Sequence, residues 1–254
     1  MARKNAGYGW IPDLPDQRDL LFAAPPAPVA PLPPSTDLRP GCPPVYDQGQ
    51  LGSCTANAIA GALQFDEMKQ AEADATLLSR LFIYYNEREI EGTVGTDSGA
   101  MIRDGIKSVN KLGACPEREW PYVISKFADR PPAACYTDAA NHRALQYQRL
   151  TRDLGQMKVC LATGYPFVFG FSVYESFETK PVADTGVAQL PAAGERVVGG
   201  HAVLAVGYDD SASRFLVRNS WGTSWGVAGY FTMPYEYLGS RKLSSDFWTV
   251  RLMS

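Results

Sequence analysis

The sequence predicts an α+β fold of two lobes, one helical and one a twisted antiparallel, barrel-like sheet. Apolar residues recur at helical spacing through the first half of the chain. The second half breaks into short β-rich runs with turn residues between them. With 254 residues, 45% of them apolar, the chain is long enough to bury a substantial core in one domain or two small ones.

Residues 1–34 differ from the rest and are read as a leader to a globular domain over 35–254. Pro fills six of the ten positions from 25 to 34, which predicts an extended polyproline strap. Upstream, Trp10, Ile11, Leu14, Leu20, Leu21 and Phe22 are too apolar for a purely solvated tail. Two readings stand, a loose tail or a short docked segment. The helical lobe is expected over about 45–130 and the β lobe over about 140–254. Ala58, Ile59, Ala62, Leu63 and Phe65 form an apolar stripe on a helix from Ser53 to about Gln70. Ser79 caps a second helix through Glu89, stopped by Gly92. A third runs from about Ser98 to Leu112, with Met101, Ile106, Val109 and Leu112 inward and Gly113 as its stop. Strands follow at Phe167–Val173, Ala202–Tyr208, Phe215–Arg218, Tyr230–Met233 and Phe247–Leu252.

A net charge of −3 implies no general affinity for nucleic acid or an anionic membrane. No apolar run reaches transmembrane length. No signal-peptide h-region is visible, which leaves a cytoplasmic location or export by another route. With two histidines, His142 and His201, and no CxxC pair, neither a metal site nor a cofactor is expected. Setting Cys54 aside, Cys42, Cys115, Cys135 and Cys160 would suffice for two disulfides.

Cys54 stands at the start of its helix, after Gly52 and Ser53, where the positive end of the helix favours thiolate. His201 and Asn219 follow far downstream. A thiol, an imidazole and an amide in that order make a nucleophile, its base and the group that orients the base. Taken singly, Cys54 could be a core thiol, Asn219 a turn residue and Gln48 a surface residue. Their joint presence outweighs those readings.

The strings QGQLGSC, GGHAVLAVGY and NSWGTSWGVAGY resemble the papain family of cysteine peptidases, most closely its bacterial xylellain-type members. The resemblance runs from about Leu32 to Ser254. Cys54 and His201 are 147 residues apart, within the family's roughly 130–150. The resemblance implies the two-lobed papain-like fold with the active-site cleft between the lobes. It implies an ion pair of Cys54 and His201, oriented by Asn219 and shielded by Trp221, with Gln48 as oxyanion donor. Asp97, Ser98 and Gly99 would form the edge that binds an extended peptide. Met101 and Gly199 would line the second specificity pocket, with Ser245 at its far end and Asp246 nearby, and Gly200 and Trp221 would also bind substrate. Thr55 replaces the usual aromatic after the nucleophile and Leu51 a usually bridged Cys, which favours free thiols elsewhere. The implied activity is cleavage of a peptide or protein substrate through a thioester. The same triad could serve an acyltransferase or amidase, and an inactive binding protein is a third reading. A monomer is expected, with its own leader across the cleft as a short inhibitory prosegment.

Overall fold

Periodicity and caps set the helices, and β-branched and aromatic runs set the strands. The computed structural model describes residues 7–22, 31–70 and 76–252, so residues 25–30 of the predicted polyproline strap lie outside the described residues. In chain order the elements are β1 (Trp10–Ile11), β2 (Ser35–Asp37), α1 (Cys54–Gln70), α2 (Arg80–Glu91), β3 (Ala100–Met101), α3 (Ile102–Lys111), α4 (Ala133–Ala139), β4 (Ala144–Arg149), α5 (Leu154–Ala162), β5 (Phe167–Tyr174), α6 (Lys180–Thr185), β6 (Val197–Asp209), β7 (Arg214–Arg218), β8 (Tyr230–Pro234), α7 (Tyr235–Gly239) and β9 (Ser244–Leu252).

The α+β expectation holds, with helices first and an antiparallel sheet after them. The sheet runs β4-β9-β5-β6-β7-β8, and β2 pairs with β6. Its outer strands β4 and β8 do not pair with each other among the described residues, so the sheet is open and not a closed barrel. Strand β6 is its spine, antiparallel to β5 on one side and β7 on the other. Alternate residues of β5 send Phe167, Phe169 and Phe171 into one core with Phe215 and Phe247. A second core gathers Ile59, Leu63, Phe82, Ile83, Ile106 and Val109 from α1, α2 and α3. Each such side chain contributes about 1.5–3 kcal/mol on burial.

Helix α1 is buried on all sides from Cys54 to Asp66, not along one stripe. It packs between α2 and α3 on one side and β6 and β9 on the other, so no face is left for solvent. Helix α2 has the predicted ends. The Ser79 hydroxyl accepts from Phe82 N–H at 3.1 Å, and Gly92 closes the helix at φ 71°. Helix α3 begins at Ile102, later than expected. Gly99 takes φ 75° and Ala100–Met101 is drawn into a parallel pair with β1, so Ser98–Met101 cannot be helical. Strand β4 and helices α4 to α7 were not foreseen. The helices have five to nine residues, too few for a clear period, and β4 fully buries only Ala144.

Candidate active site

Cys54 heads α1 because the turn before it is tied down on both sides. Gln48 N–H donates to the Ser220 carbonyl at 2.9 Å. Gly52 N–H donates to the Asp97 carboxylate at 3.0 Å, and the Tyr84 hydroxyl donates to the same carboxylate. From the other lobe, the β6–β7 register sets Leu204 opposite Arg218, so the chain beyond Arg218 runs back alongside His201. His201 Nε2 lies 2.8 Å from Asn219 Oδ1. Asn219 Oδ1 also accepts from Ser220 N–H at 2.8 Å, which fixes the amide so that its oxygen faces the ring. Trp221 stacks on His201 at 4.8 Å between centroids, with planes 29° apart, and Phe171 meets the ring edge-on. His201 Nδ1 is buried with no hydrogen-bond partner. The backbone N–H of Ala202, the residue after His201, lies near Cys54 and favours its charged form.

The leader runs through this site. Gln48 Nε2 donates to the Gly7 carbonyl at 3.0 Å and to the Leu51 carbonyl at 2.9 Å, while Gln48 Oε1 accepts from Ser220 Oγ at 2.5 Å. Gly9 N–H lies near Cys54 and favours its charged form, and the Gly9 carbonyl accepts from Ala100 N–H at 2.7 Å. The approach is too close for side chains. A Cβ on Gly9 would sit 1.6 Å from the Gly52 carbonyl oxygen, and one on Gly99 2.1 Å from the Gly9 carbonyl oxygen. Tyr8 lies edge-on to His201 and Trp221, its hydroxyl donating to Glu178 at 2.5 Å. The Trp10 indole lies on Gly170 and Gly200, and its N–H donates to Asp246 Oδ2 at 3.2 Å.

Further along, Asp13 accepts from Arg103 N–H at 3.1 Å and Trp248 Nε1–H at 2.9 Å. Asp19 is held between Arg103 at 2.6 Å and Arg149 at 2.7 Å.

Covered in this way, Cys54, His201 and Gln48 are all 0% exposed. Burial pushes the Cys54 thiol up to about 12, outweighing the N–H groups around it. Burial pushes His201 down to about 4, outweighing its bond to Asn219. At neutral pH the two groups therefore stand as thiol and neutral imidazole. The ion pair read from the sequence requires water to return to the cleft.

A papain family cysteine protease profile matches residues 32–246. An uncharacterized peptidase C1-like protein of Acanthamoeba polyphaga mimivirus is 47% identical over 213 residues, 81% of this chain and 68% of that protein. The chain belongs to the papain family of cysteine proteases. It is therefore a hydrolase. Xylellain, a cysteine protease from Xylella fastidiosa, superposes with a TM-score of 0.91 at 47% identity, over 99% of this chain and 98% of that one. Digestive cysteine proteinase 2 of Homarus americanus is 31% identical over 75% of this chain and 57% of its own length.

Several carried-over papain-family positions have distinct surroundings. Asp97 is turned onto Gly52 and Tyr84, so it braces the loop before Cys54. Ser98 Oγ donates to the Gly99 carbonyl at 3.2 Å. Met101 is half-buried beside Ile11, its N–H donating to Glu91. Gly199 lies under Tyr8, not under Trp10, while Gly200 lies under Trp10. Ser245 pairs with Gly170 and borders a surface basin of about 390 Å³ with Arg149, Arg152 and Arg241. Asp246, with φ 59°, is the carboxylate that reaches Trp10. Thr55, in place of an aromatic, donates to the buried Glu87 at 2.6 Å.

Two supporting residues escaped the sequence reading. The Tyr122 hydroxyl donates to the Gln48 carbonyl at 2.9 Å and lies 2.5 Å from Ser53 Oγ. Ser220 orients the Gln48 amide. Only its adjacency to Asn219 could have signalled Ser220. Tyr122 lies 68 residues beyond Cys54 in a loop without periodicity and carried no local signal.

Proposed function

We propose that this protease is an endopeptidase with Cys54 as nucleophile and His201 as acid and base, held as a zymogen by its own N-terminal segment. Residues 1–34 are the inhibitory segment and 35–254 the catalytic domain. With the cleft open, the proton of Cys54 passes to His201 Nδ1, and Asn219 holds the ring through Nε2. The thiolate adds to the peptide carbonyl. The oxyanion accepts from the Gln48 side-chain amide and the Cys54 backbone N–H. The imidazolium returns its proton to the leaving amine, which departs and leaves a thioester. Water, deprotonated by His201, then hydrolyses the thioester.

The observation that carries this reading is the Gly7 carbonyl on Gln48 Nε2. A peptide carbonyl already accepts from the proposed oxyanion donor, two residues before an amide N–H that lies near the sulfur. That N–H offers no electrophile, which supports inhibition over turnover. The Trp10 site supports a bulky residue one position before the attacked carbonyl, with Asp246 ready to accept from it. The full-length chain and one starting near Leu32 are to be compared on a fluorogenic dipeptide amide, with Cys54 alkylation by iodoacetamide alongside. Faster turnover and faster alkylation in the folded shorter chain support inhibition. Equal rates in both refute inhibition. Absent turnover with fast alkylation refutes the peptidase assignment.

A further inference from the structure

Away from the cleft, Cys115, Glu119 and Cys135 form a cluster that the proteolytic reaction does not use. One ligand atom from each, the two Sγ atoms and a carboxylate oxygen, all lie within 4.8 Å of one another. Cys115 and Cys135 are buried free thiols, brought together from the turn after α3 and from α4. Glu119 Oε1 faces Arg118 at 3.5 Å, but its Oε2 is buried with no hydrogen-bond partner. Asp138, one turn beyond Cys135 on α4, lies beside the same carboxyl. A buried carboxylate oxygen left without a partner is costly, and here two thiols stand beside it.

We propose that Cys115, Glu119 and Cys135 bind a zinc ion, with the fourth position supplied by Asp138 or water. Zinc takes thiolate at about 2.3 Å and carboxylate at about 2.0–2.2 Å in tetrahedral array, which sets its ligand atoms roughly 3.5–3.8 Å apart. The observed atoms lie within 4.8 Å of one another, at most about 1 Å wider than that spacing. Two thiolates select zinc over magnesium or calcium. Glu119 is 24% exposed, which opens a route for the ion from solvent. The sequence reading expected no metal because it searched for histidines and CxxC pairs. These ligands instead lie as Cys115-x3-Glu119 and Cys135-x2-Asp138, joined only by folding.

The ion would be structural. The Cys115 carbonyl accepts the N–H of Ser79 at the cap of α2. The segment between the two cysteines carries Tyr122, which holds Gln48 and Ser53. Zinc would tie that segment to the root of α2 and steady the donor side of the cleft from a distance.

The test uses the full-length Cys54→Ala chain, to exclude autolysis and metal capture by the reactive thiol. The protein is equilibrated with zinc, desalted and assayed for bound metal. Cobalt(II) is titrated separately for a thiolate-to-cobalt charge-transfer band. The expected result is about one zinc per chain and a band of two-thiolate intensity. Both should be lost on adding Cys135→Ser and kept on adding Cys160→Ser. Should Cys135→Ser fail to fold, Glu119→Gln preserves the shape and should weaken zinc binding at least tenfold. Saturating zinc should raise Tm by roughly 5–10 °C over the chelated protein. Failure to retain zinc, absence of the band, binding indifferent to both Cys135→Ser and Glu119→Gln, or a Cys115–Cys135 disulfide in the denatured, alkylated protein would each overturn the proposal.

Discussion

A single methyl group should release the leader. In Gly9→Ala the new Cβ would fall 1.6 Å from the Gly52 carbonyl oxygen and 2.4 Å from its carbon, where real contacts stay above 3.0 Å. Both obstacles are backbone, in the loop held by Asp97, so the leader must retreat by more than an ångström. That retreat breaks the Ala100-to-Gly9 bond at 2.7 Å, the Gln48-to-Gly7 bond at 3.0 Å and the Trp10-to-Asp246 bond at 3.2 Å. At about 0.5–1.5 kcal/mol each, the loss is about 2–4 kcal/mol. The ratio of open to closed enzyme should then rise about 30- to 1,000-fold. The rate constant for Cys54 alkylation by iodoacetamide in full-length Gly9→Ala reads this directly. The chain starting near Leu32 sets the ceiling. The same substitution leaves the catalytic domain untouched, so Tm of its main transition should hold. If Gly9→Ala alkylates as slowly as the parent while the shorter chain alkylates fast, Gly9 does not lie against Gly52 and the docked geometry is wrong.

Closure should respond to pH through two opposed groups. Docking holds His201 well below its ordinary value near 6.5, so His201 favours the closed form above that value and opposes it as pH falls towards about 4. Docking raises Asp13 from 3.8 to about 6, by burial and the nearby Asp246, so Asp13 favours closure as pH falls through that window. In Asp13→Asn the ratio of full-length to truncated activity should climb more steeply from pH 6.5 to 4.5 than in the parent, and a flatter climb would contradict the Asp13 reading. In the truncated enzyme, Gln48→Ala should lower kcat about 10²- to 10³-fold. An unchanged kcat would remove Gln48 from the oxyanion site. Asn219→Ala deletes the acceptor 2.8 Å from His201 Nε2 and should cost roughly 10- to 150-fold in kcat/KM. A loss seen only in Tm would make Asn219 purely structural.

Local signals were legible in the sequence. Ser79 and Gly92 bounded α2 because a side-chain cap and a left-handed glycine act within one turn. The β-rich runs around Phe169, Val203 and Val217 read as strands because alternation is a short-range property. Cys54, His201 and Asn219 were legible as one candidate group by residue type and order, since each sits in a run of distinctive neighbours. The start of α3 was misread because Ala100–Met101 takes its conformation from Trp10–Ile11, ninety residues away.

The sequence by itself determined the fold class, the ends of the capped helix and which polar residues were candidates for the chemistry, because those depend on neighbours along the chain. Tertiary structure alone decided what surrounds them. It turned Asp97 inward to Gly52, set Ser220 and Tyr122 on Gln48, and brought Cys115, Glu119 and Cys135 into one cluster. It also laid Gly7–Trp10 across Cys54 and held His201 and the thiol neutral by excluding water. The physical reason is common to all of these. Contacts between segments tens to hundreds of residues apart form only when two packed cores fix the backbones that carry them, and no local pattern encodes that distance.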